Sequence, residues 1–167
     1  MVQNDTYLQT LYPHEQVNPA SVDLTLGSKA VIHDWPWYYR LLWYLTKNER
    51  WRKRKRQIDI SQGYFLKPGE MALLHSREWV RIPTGMSALL TLKSSRGREG
   101  LDHALAGWFD PGFEGEAVFE VYAHAHPVRL QEGLRFAQLI YLETLTPAAS
   151  YNGHYMHQTG PQGSWTE

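Results

Sequence analysis

The chain has 167 residues, of which 43% are hydrophobic and 20% are charged, a composition typical of a globular protein with a buried core. It contains no cysteine, which excludes disulfides, thiolate nucleophiles and cysteine-based zinc sites and fits a cytoplasmic protein. No apolar run is long enough to cross a bilayer and the first residues do not resemble a secretory signal, so neither a membrane span nor secretion is expected.

Basic residues are concentrated in one segment of a chain whose formal net charge is zero. KNERWRKRKR (47–56) holds seven of the 17 Lys and Arg residues and one of the 17 Asp and Glu residues, so the remainder is acidic on balance. Such a protein is not expected to bind nucleic acid generally, and a polyanion would need a small, dedicated basic site.

Short alternating segments separated by turn signals recur along the chain and favour an all-β sandwich or barrel. SVDLTLG (21–27) predicts a strand that stops at Gly27, and GYFLKPGE (63–70) ends in a Pro-Gly turn. MALLHSREWVRIP (71–83) predicts two short strands with a polar break, and GMSALLTLKS (85–94) predicts a strand that leads into a polar loop.

The second half of the chain continues the same pattern. EAVFEVYA (116–123) alternates between apolar and mostly polar positions, which predicts a strand. VRLQEGLRFAQLIYLETL (128–145) predicts a hairpin that turns at Glu132 and Gly133. YNGHYMHQTGPQGS (151–164) is polar and rich in glycine, with no core-forming pattern.

One segment, WPWYYRLLWYLTKNERWRKRKR (35–56), is aromatic and then basic. Residues 38–44 could form a short amphipathic helix. The favoured interpretation is an inserted lid or subunit-contact element with a solvated basic end, because charge runs are commonly surface. The alternative is a patch for nucleic acid or a membrane surface, since tryptophans interleaved with cations suit both.

A possible phosphate site follows the strand at 85–94, in KSSRGREGL (93–101). Ser94 and Ser95 supply hydroxyl donors, while Lys93, Arg96 and Arg98 supply positive charge. A polar surface loop is the equally weighted alternative.

Four carboxylates lie within AGWFDPGFEGEAVFEV (106–121). Asp110 opens a Pro-Gly turn among apolar residues and is expected to be enclosed. Glu114 and Glu116 lie in or near that turn and are expected in water. Glu120 lies in the middle of a strand, where a carboxylate usually faces solvent, but on a face that lines a pocket it could exchange protons near neutral pH.

Six segments together resemble the dCTP deaminase family of the trimeric dUTPase-like superfamily. They are NPASVDLTLG, FLKPGEMALLHSREWVRIP, KSSRGREGL, HALAGWFDPGFEGEAVFEV, GLRFAQLIY and YNGHYMHQTGPQGS. The resemblance covers roughly 12–33 and 58–164, and it breaks at the insertion 34–57, where the family varies. It implies one distorted β-barrel or jelly roll of dUTPase-like type over 1–167, a homotrimer with active sites between subunits, and a C-terminal lid at about 150–167.

The resemblance also implies catalytic roles. Glu120 would activate the water that attacks C4 of cytosine and then protonate the departing ammonia. Ser94 would help to hold water and phosphate, and Arg98 would support the catalytic group. His103 stands where the family usually has histidine, in either a structural or a catalytic role.

Substrate-binding roles follow from the same resemblance. The backbone of Ala106 would bind the base edge, Asp110 would meet the 3′-hydroxyl, and Phe113 would exclude a 2′-hydroxyl. The triphosphate, bridged by Mg²⁺, is expected to contact Lys93 and three residues of the tail that closes over the ligand: Tyr151, His154 and Gln158.

Four functions remain open at this point. The leading prediction is a deaminase that converts dCTP to dUTP and ammonia, without zinc because the cysteine-containing zinc motif of other nucleobase deaminases is missing. A bifunctional enzyme that also releases pyrophosphate and gives dUMP is the alternative. A dUTPase alone is disfavoured by Glu120, and a non-catalytic nucleotide-binding protein is disfavoured because Ser94, Arg98, Asp110 and Glu120 are all present.

Overall fold

The structure, a computed structural model, describes residues 12–104, 106–146 and 148–164, so the parts of the predicted domain at 1–11 and 165–167 lie outside the described residues. Its content confirms the all-β class. The strands are β1 (Val17–Asn18), β2 (Ser21–Asp34), β3 (Arg54–Asp59), β4 (Tyr64–Leu66), β5 (Met71–Arg81), β6 (Met86–Leu92), β7 (Leu101–His103), β8 (Trp108–Phe109), β9 (Glu114–Ala123), β10 (Val128–Leu130) and β11 (Arg135–Glu143). Helices α1 (Trp37–Thr46) and α2 (Ser94–Arg98) are short, and 3₁₀ turns lie at His14–Gln16 and Glu49–Trp51.

Nine of the strands in the described part of the chain form one curled antiparallel sheet around the core. The order is β7-β9-β5-β2-β11-β6-β8, with β1 and β3 also on β2. The first half of β2 pairs with β11 and its second half pairs with β5 and β3, so the sheet bends where the partner changes. Apolar side chains inside this bend are fully buried, among them Leu24, Leu74, Phe119 and Phe136.

The strand predicted to stop at Gly27 continues to Asp34, so that prediction is wrong. A Cβ at position 27 would lie 2.1 Å from Cε1 of His75. The glycine is therefore needed for close approach of a side chain from the neighbouring strand, and it does not reverse the chain.

The polar break predicted within 71–83 is a bulge inside one continuous strand. The register of β5 against β9 shifts between His75 and Trp79. Ser76 satisfies the irregular backbone, because its hydroxyl donates to the carbonyl of Glu78 at 2.7 Å and accepts from the amide of Ala117 at 2.8 Å.

The predicted hairpin across Glu132 and Gly133 is also wrong. The chain does turn there, with Gly133 at a positive φ of 76°. However, β10 pairs with β4, and β11 pairs with β2 and β6. Local sequence indicates a turn but not which strands it joins.

The aromatic part of the insertion forms a projecting unit, residues 35–53. Helix α1 is longer than the predicted 38–44 and packs on the following 3₁₀ turn through an edge-to-face contact of Tyr39 with Trp51. The outer face leaves Trp37 74% exposed and Tyr44 69% exposed. No helix within the described residues is long and apolar enough to cross a membrane.

The basic end of the insertion is not a freely solvated run, because β3 is part of the sheet. Arg54 donates to both carboxylate oxygens of Asp34, at 2.8 and 2.5 Å, on the paired strand. This bond lowers the pKa of Asp34 below its usual value of 3.8 and raises the pKa of Arg54. Arg56 bridges the carboxylates of Asp34 and Glu70, at 3.3 and 3.2 Å.

Candidate active site

A cavity of about 520 Å³ lies against the face of β9 that carries Glu120. Six of the residues predicted to bind or convert a nucleotide line it: Ala106, Asp110, Phe113, Glu120, Tyr151 and Gln158. The chain therefore brings the residues predicted for base, sugar and proton transfer to one place.

Strand alternation sets the direction of the Glu120 side chain. Ala117, Phe119 and Val121 point into the core, as predicted. Glu120 points the other way, paired across the strands with Leu73, and its side chain is only 24% exposed. It lies at the base of the cavity and does not extend into bulk solvent.

Glu120 faces a buried histidine. Oε2 of Glu120 lies 3.5 Å from Nε2 of His103, whose side chain is 4% exposed. Within the described residues, this oxygen and both ring nitrogens of His103 are buried without a hydrogen-bond partner. Buried polar atoms are normally paired, so this group is suited to a polar ligand or to water.

The loop that carries Ala106 is fixed at both sides. The amide of Ala104 donates to the carbonyl of Glu120 at 3.0 Å, and the carbonyl of Gly107 accepts from Leu90 at 2.7 Å. A Cβ at position 107 would lie 2.4 Å from the Leu90 oxygen, so only glycine fits. Between these bonds, Ala106 lines the same cavity as Glu120.

A turn then places Asp110 and Phe113 on the cavity wall, but Asp110 is exposed, so the expectation that it is enclosed is wrong. The amide of Phe113 donates to the carbonyl of Asp110 at 3.2 Å, and Nε1 of Trp108 donates to Oδ1 of Asp110 at 3.1 Å. The Phe113 ring packs on Phe109 and on Tyr151, with centroids 4.9 and 5.8 Å away. A rigid aromatic wall of this kind can select a ligand by shape.

Glu114 and Glu116 are not simply in water, so that expectation is wrong. Glu114 is half-buried and pairs with Arg81 at 3.0 Å. Glu116 accepts from the ring of His75 at 2.7 Å and from the amide of Gly160 at 2.5 Å. The prediction missed these partners because they lie far along the chain.

The predicted phosphate residues form a separate group, and the predicted polar loop is the short helix α2. Ser94, Ser95 and Arg98 are exposed on it and do not line the cavity of their own chain. Nζ of Lys93 lies 2.5 Å from Oδ2 of the fully buried Asp23. One chain therefore does not bring residues 93–98 together with Glu120.

The C-terminal segment passes over the cavity. Tyr151 and Gln158 line it, whereas His154 is exposed and does not. Nε2 of Gln158 donates to the carbonyl of Glu116 at 2.8 Å, so this side chain is bonded to β9.

Several lining residues were not predicted. Met71 and Leu73 come from β5, Tyr155 and Gln162 from the C-terminal segment, and His33 and Lys53 from the two ends of the insertion. The alternation of β5 could have indicated Met71 and Leu73. Nothing in the local sequence indicates that the ends of the insertion reach the cavity.

Comparison with known proteins gives consistent matches. A family model described as dCTP deaminase-like matches residues 2–144. The chain is 32% identical over 151 residues to a protein of Persephonella marina named "dCTP deaminase, dUMP-forming", covering 89% of this chain and 82% of that protein. It is 34% identical over 155 residues to a protein of Ignicoccus hospitalis named "dCTP deaminase", covering 89% and 83%.

A solved structure is also similar. The 2′-deoxycytidine 5′-triphosphate deaminase from Agrobacterium tumefaciens superimposes with a TM-score of 0.63 at 26% sequence identity. The match covers 82% of this chain, which spans about half the length of that protein (46%).

Proposed function

Because the chain belongs to the dCTP deaminase-like family, we propose that it hydrolyses dCTP to dUTP and ammonia without zinc. The observation that carries this proposal is the carboxylate of Glu120 at the base of the cavity, with a buried oxygen facing His103 at 3.5 Å. The absence of cysteine from the whole chain supports a route without the cysteine-containing zinc motif of other nucleobase deaminases.

In this reaction Glu120 acts as general base and then general acid. It takes a proton from water as the water oxygen bonds to C4 of cytosine and passes this proton to N3. It then takes the second proton from the new C4 hydroxyl and passes it to the amino nitrogen. The C4–N4 bond then breaks and ammonia leaves. One water proton ends on N3 of the uracil and the other in ammonia, so Glu120 returns to its starting state.

The neighbouring groups bind and orient the substrate. The backbone at Ala106 bonds to the base edge, and Asp110 accepts from the 3′-hydroxyl. Phe113 packs against the sugar and leaves no room for a 2′-hydroxyl. His103, which lies beside Glu120, keeps the carboxylate turned toward the base.

The cations predicted to bind the triphosphate, Lys93, Arg96 and Arg98, do not line the cavity of their own chain, although Lys53 does. We assign this role to α2 of an adjacent subunit in a homotrimer, which would supply Ser94, Ser95 and Arg98 near Lys93. Exposure of these side chains within one chain supports the assignment. Mg²⁺ enters with the substrate, bound by phosphate oxygens.

A second candidate is a bifunctional enzyme that forms dUMP. The relative from Persephonella marina carries "dUMP-forming" in its name, which favours this candidate. Asp110 would then also activate water for cleavage between the α- and β-phosphates. The residues at the cavity suit both candidates equally.

The test is incubation of the wild type with dCTP and with dUTP, with ammonia and pyrophosphate assayed separately and nucleotides resolved by mass spectrometry. Ammonia from dCTP with dUTP accumulating supports the deaminase. Ammonia, pyrophosphate and dUMP support the bifunctional enzyme, and pyrophosphate from dUTP alone indicates a dUTPase.

Glu120→Gln is the control for the assigned base. It should lower ammonia release by at least about 10³-fold, since a matched amide cannot carry a proton, while dCTP still binds. Unchanged turnover in this variant, or no product from any nucleotide in the wild type, would overturn the proposal.

A further inference from the structure

Three of the bonds that attach the C-terminal segment to β9 are made by one residue, Glu116. The amide of Glu116 donates to the carbonyl of Gln158 at 3.0 Å, and its carbonyl accepts from Nε2 of Gln158 at 2.8 Å. Its carboxylate oxygen Oε2 accepts from the amide of Gly160 at 2.5 Å. Both backbone and side chain of one glutamate thus hold the segment.

The edge of β9 has room for this attachment. The neighbouring strand β7 pairs only with residues 121–123 of β9. The earlier part of β9 can therefore pair with the C-terminal segment. The amide of His157 donates to the carbonyl of Glu114 at 2.7 Å. A Cβ at Gly115 would lie 3.1 Å from the Gln158 nitrogen, so glycine allows the segment to lie close.

The carboxylate of Glu116 is itself held by a buried histidine. Nδ1 of His75 lies 2.7 Å from Oε2 of Glu116, and Nε2 of His75 accepts from the amide of Lys29 at 3.3 Å. This network assigns the proton to Nδ1, which donates to Glu116. The missing side chain at Gly27 makes space for the ring, so the histidine is fixed on both sides.

The attached segment and the cavity are continuous. Tyr155, Gln158 and Gln162 come from the segment and line the same cavity as Glu120. Gly160, the residue held by the carboxylate, lies between the last two. Opening the bond at Gly160 would therefore move cavity-lining residues on both sides of it.

We propose that Glu116, oriented by His75, is a positioning residue that fastens residues 158–162 across the cavity and so slows release of the bound nucleotide. Glu116 does not line the cavity that contains Glu120 and would act through the segment it holds. The consequence for nucleotide release rests on the proposed function, whereas the attachment itself does not.

The attachment is tested by hydrogen exchange of the amides in 151–164 without nucleotide. Glu116→Ala removes a charge-assisted bond and should speed exchange in this segment about tenfold, with Glu116→Gln intermediate. Glu114→Ala is the matched control, because this carboxylate lies two residues away on the same strand and pairs with Arg81 instead. Equal exchange in Glu116→Ala and Glu114→Ala would overturn the attachment.

The consequence is tested by the dissociation rate of dCTP, measured by stopped flow in a Glu120→Gln background that blocks turnover. Adding Glu116→Ala should raise this rate about tenfold with little change in the association rate, and adding Glu114→Ala should not. In the otherwise wild-type enzyme, KM should rise more than kcat falls. Faster exchange with unchanged dissociation would overturn the role in retention, while failure of dCTP to bind at all would contradict the proposed function and leave the exchange result standing.

Discussion

The predicted site has two parts, the wall of the cavity on β9 and the helix α2. The side chains of the first part are fixed and largely buried, whereas those of the second part are exposed. On β9 and its adjoining loop, Glu120 and the backbone at Ala106 are fixed by strand pairing and by buried neighbours. On α2, Ser94 and Arg98 are exposed and do not line the cavity of their own chain. The residues predicted to bind the nucleoside (the nucleoside half) meet within one chain, whereas we propose that those predicted to bind phosphate (the phosphate half) reach the cavity from a second chain.

The most demanding test of this division mixes two inactive variants. Arg98→Ala and Glu120→Gln should each lower deaminase activity at least about 10²-fold, because each removes a charge that the transition state needs. After co-refolding in equal amounts, a homotrimer with shared sites should recover activity in about one site in four.

The recovery is measured as ammonia release from the mixture against each variant alone. Co-refolding two preparations of the same variant is the control for handling. Activity no higher in the mixture than in its components would mean that both residues act within one chain or that one of them has no role.

Substitution of Phe113 in the aromatic wall should change the selectivity between deoxyribose and ribose nucleotides. Phe113→Leu is expected to reduce discrimination between dCTP and CTP about tenfold, since a smaller side chain leaves space for the 2′-hydroxyl. The ratio of kcat/KM for the two nucleotides measures this. Phe136→Leu replaces a ring in the core that does not line the cavity, and it should leave the ratio unchanged. An equal effect in both variants would mean that a less tightly packed core, and not the cavity wall, causes the change.

Deletion of residues 151–167 should weaken binding of the triphosphate more than binding of the nucleoside. We expect dCTP affinity in a Glu120→Gln background to fall about tenfold and deoxycytidine affinity to fall less, because the deleted segment is predicted to contact phosphates. Calorimetry with both ligands measures the difference. Unchanged dCTP affinity would mean that the segment is not a lid.

The smallest effect is expected at the ion pair between Asp34 of β2 and Arg54 of β3, neither of which lines the cavity. Asp34→Asn should lower the free energy of unfolding by about 1–2 kcal/mol near neutral pH, since Arg54 loses a charged acceptor. The folded state lowers the pKa of Asp34 below 3.8, so its contribution is full above that value and is lost as pH falls through the folded pKa.

Urea unfolding at several pH values measures the free energy of unfolding of wild type and variant. The two values should approach each other as pH falls. Glu49→Gln, at an ion pair whose side chains are both 72% exposed, should change stability by less than about 0.5 kcal/mol. A pH-independent difference at Asp34 would indicate that lost packing, rather than charge, causes it.

Local sequence predicted the strand face that carries Glu120, whereas most of the other predicted residues of the cavity wall came from the resemblance to a family. Alternation in 116–123 correctly separated the face of Glu120 from the buried face, because a strand has a fixed two-residue period. Local sequence predicts strand ends at Gly27 and at the polar residues after His75. In the structure Gly27 makes space for the His75 ring and the polar residues form a bulge. Such features depend on the partner strand, which local sequence does not specify.

The same reason explains the errors at Glu116 and in the predicted hairpin. A glutamate beside a turn normally lies in water, and only the path of the C-terminal segment brings Gly160 to it. Likewise, β10 follows a turn that suits a hairpin but pairs with β4, more than 60 residues earlier. The resemblance to a family supplied the residue roles, and these remain predictions until the variants are measured.

The projecting unit at 35–53 offers a practical route for engineering. The ladder of β2 and β3 closes at Asp34 and Arg54 before the unit begins, and α1 packs on its own 3₁₀ turn. Residues 36–52 could therefore be exchanged for a tight turn or for a fluorescent reporter while the barrel keeps its register. Lys53 should stay, because it lines the cavity, and a dye placed just before it would report nucleotide entry in real time.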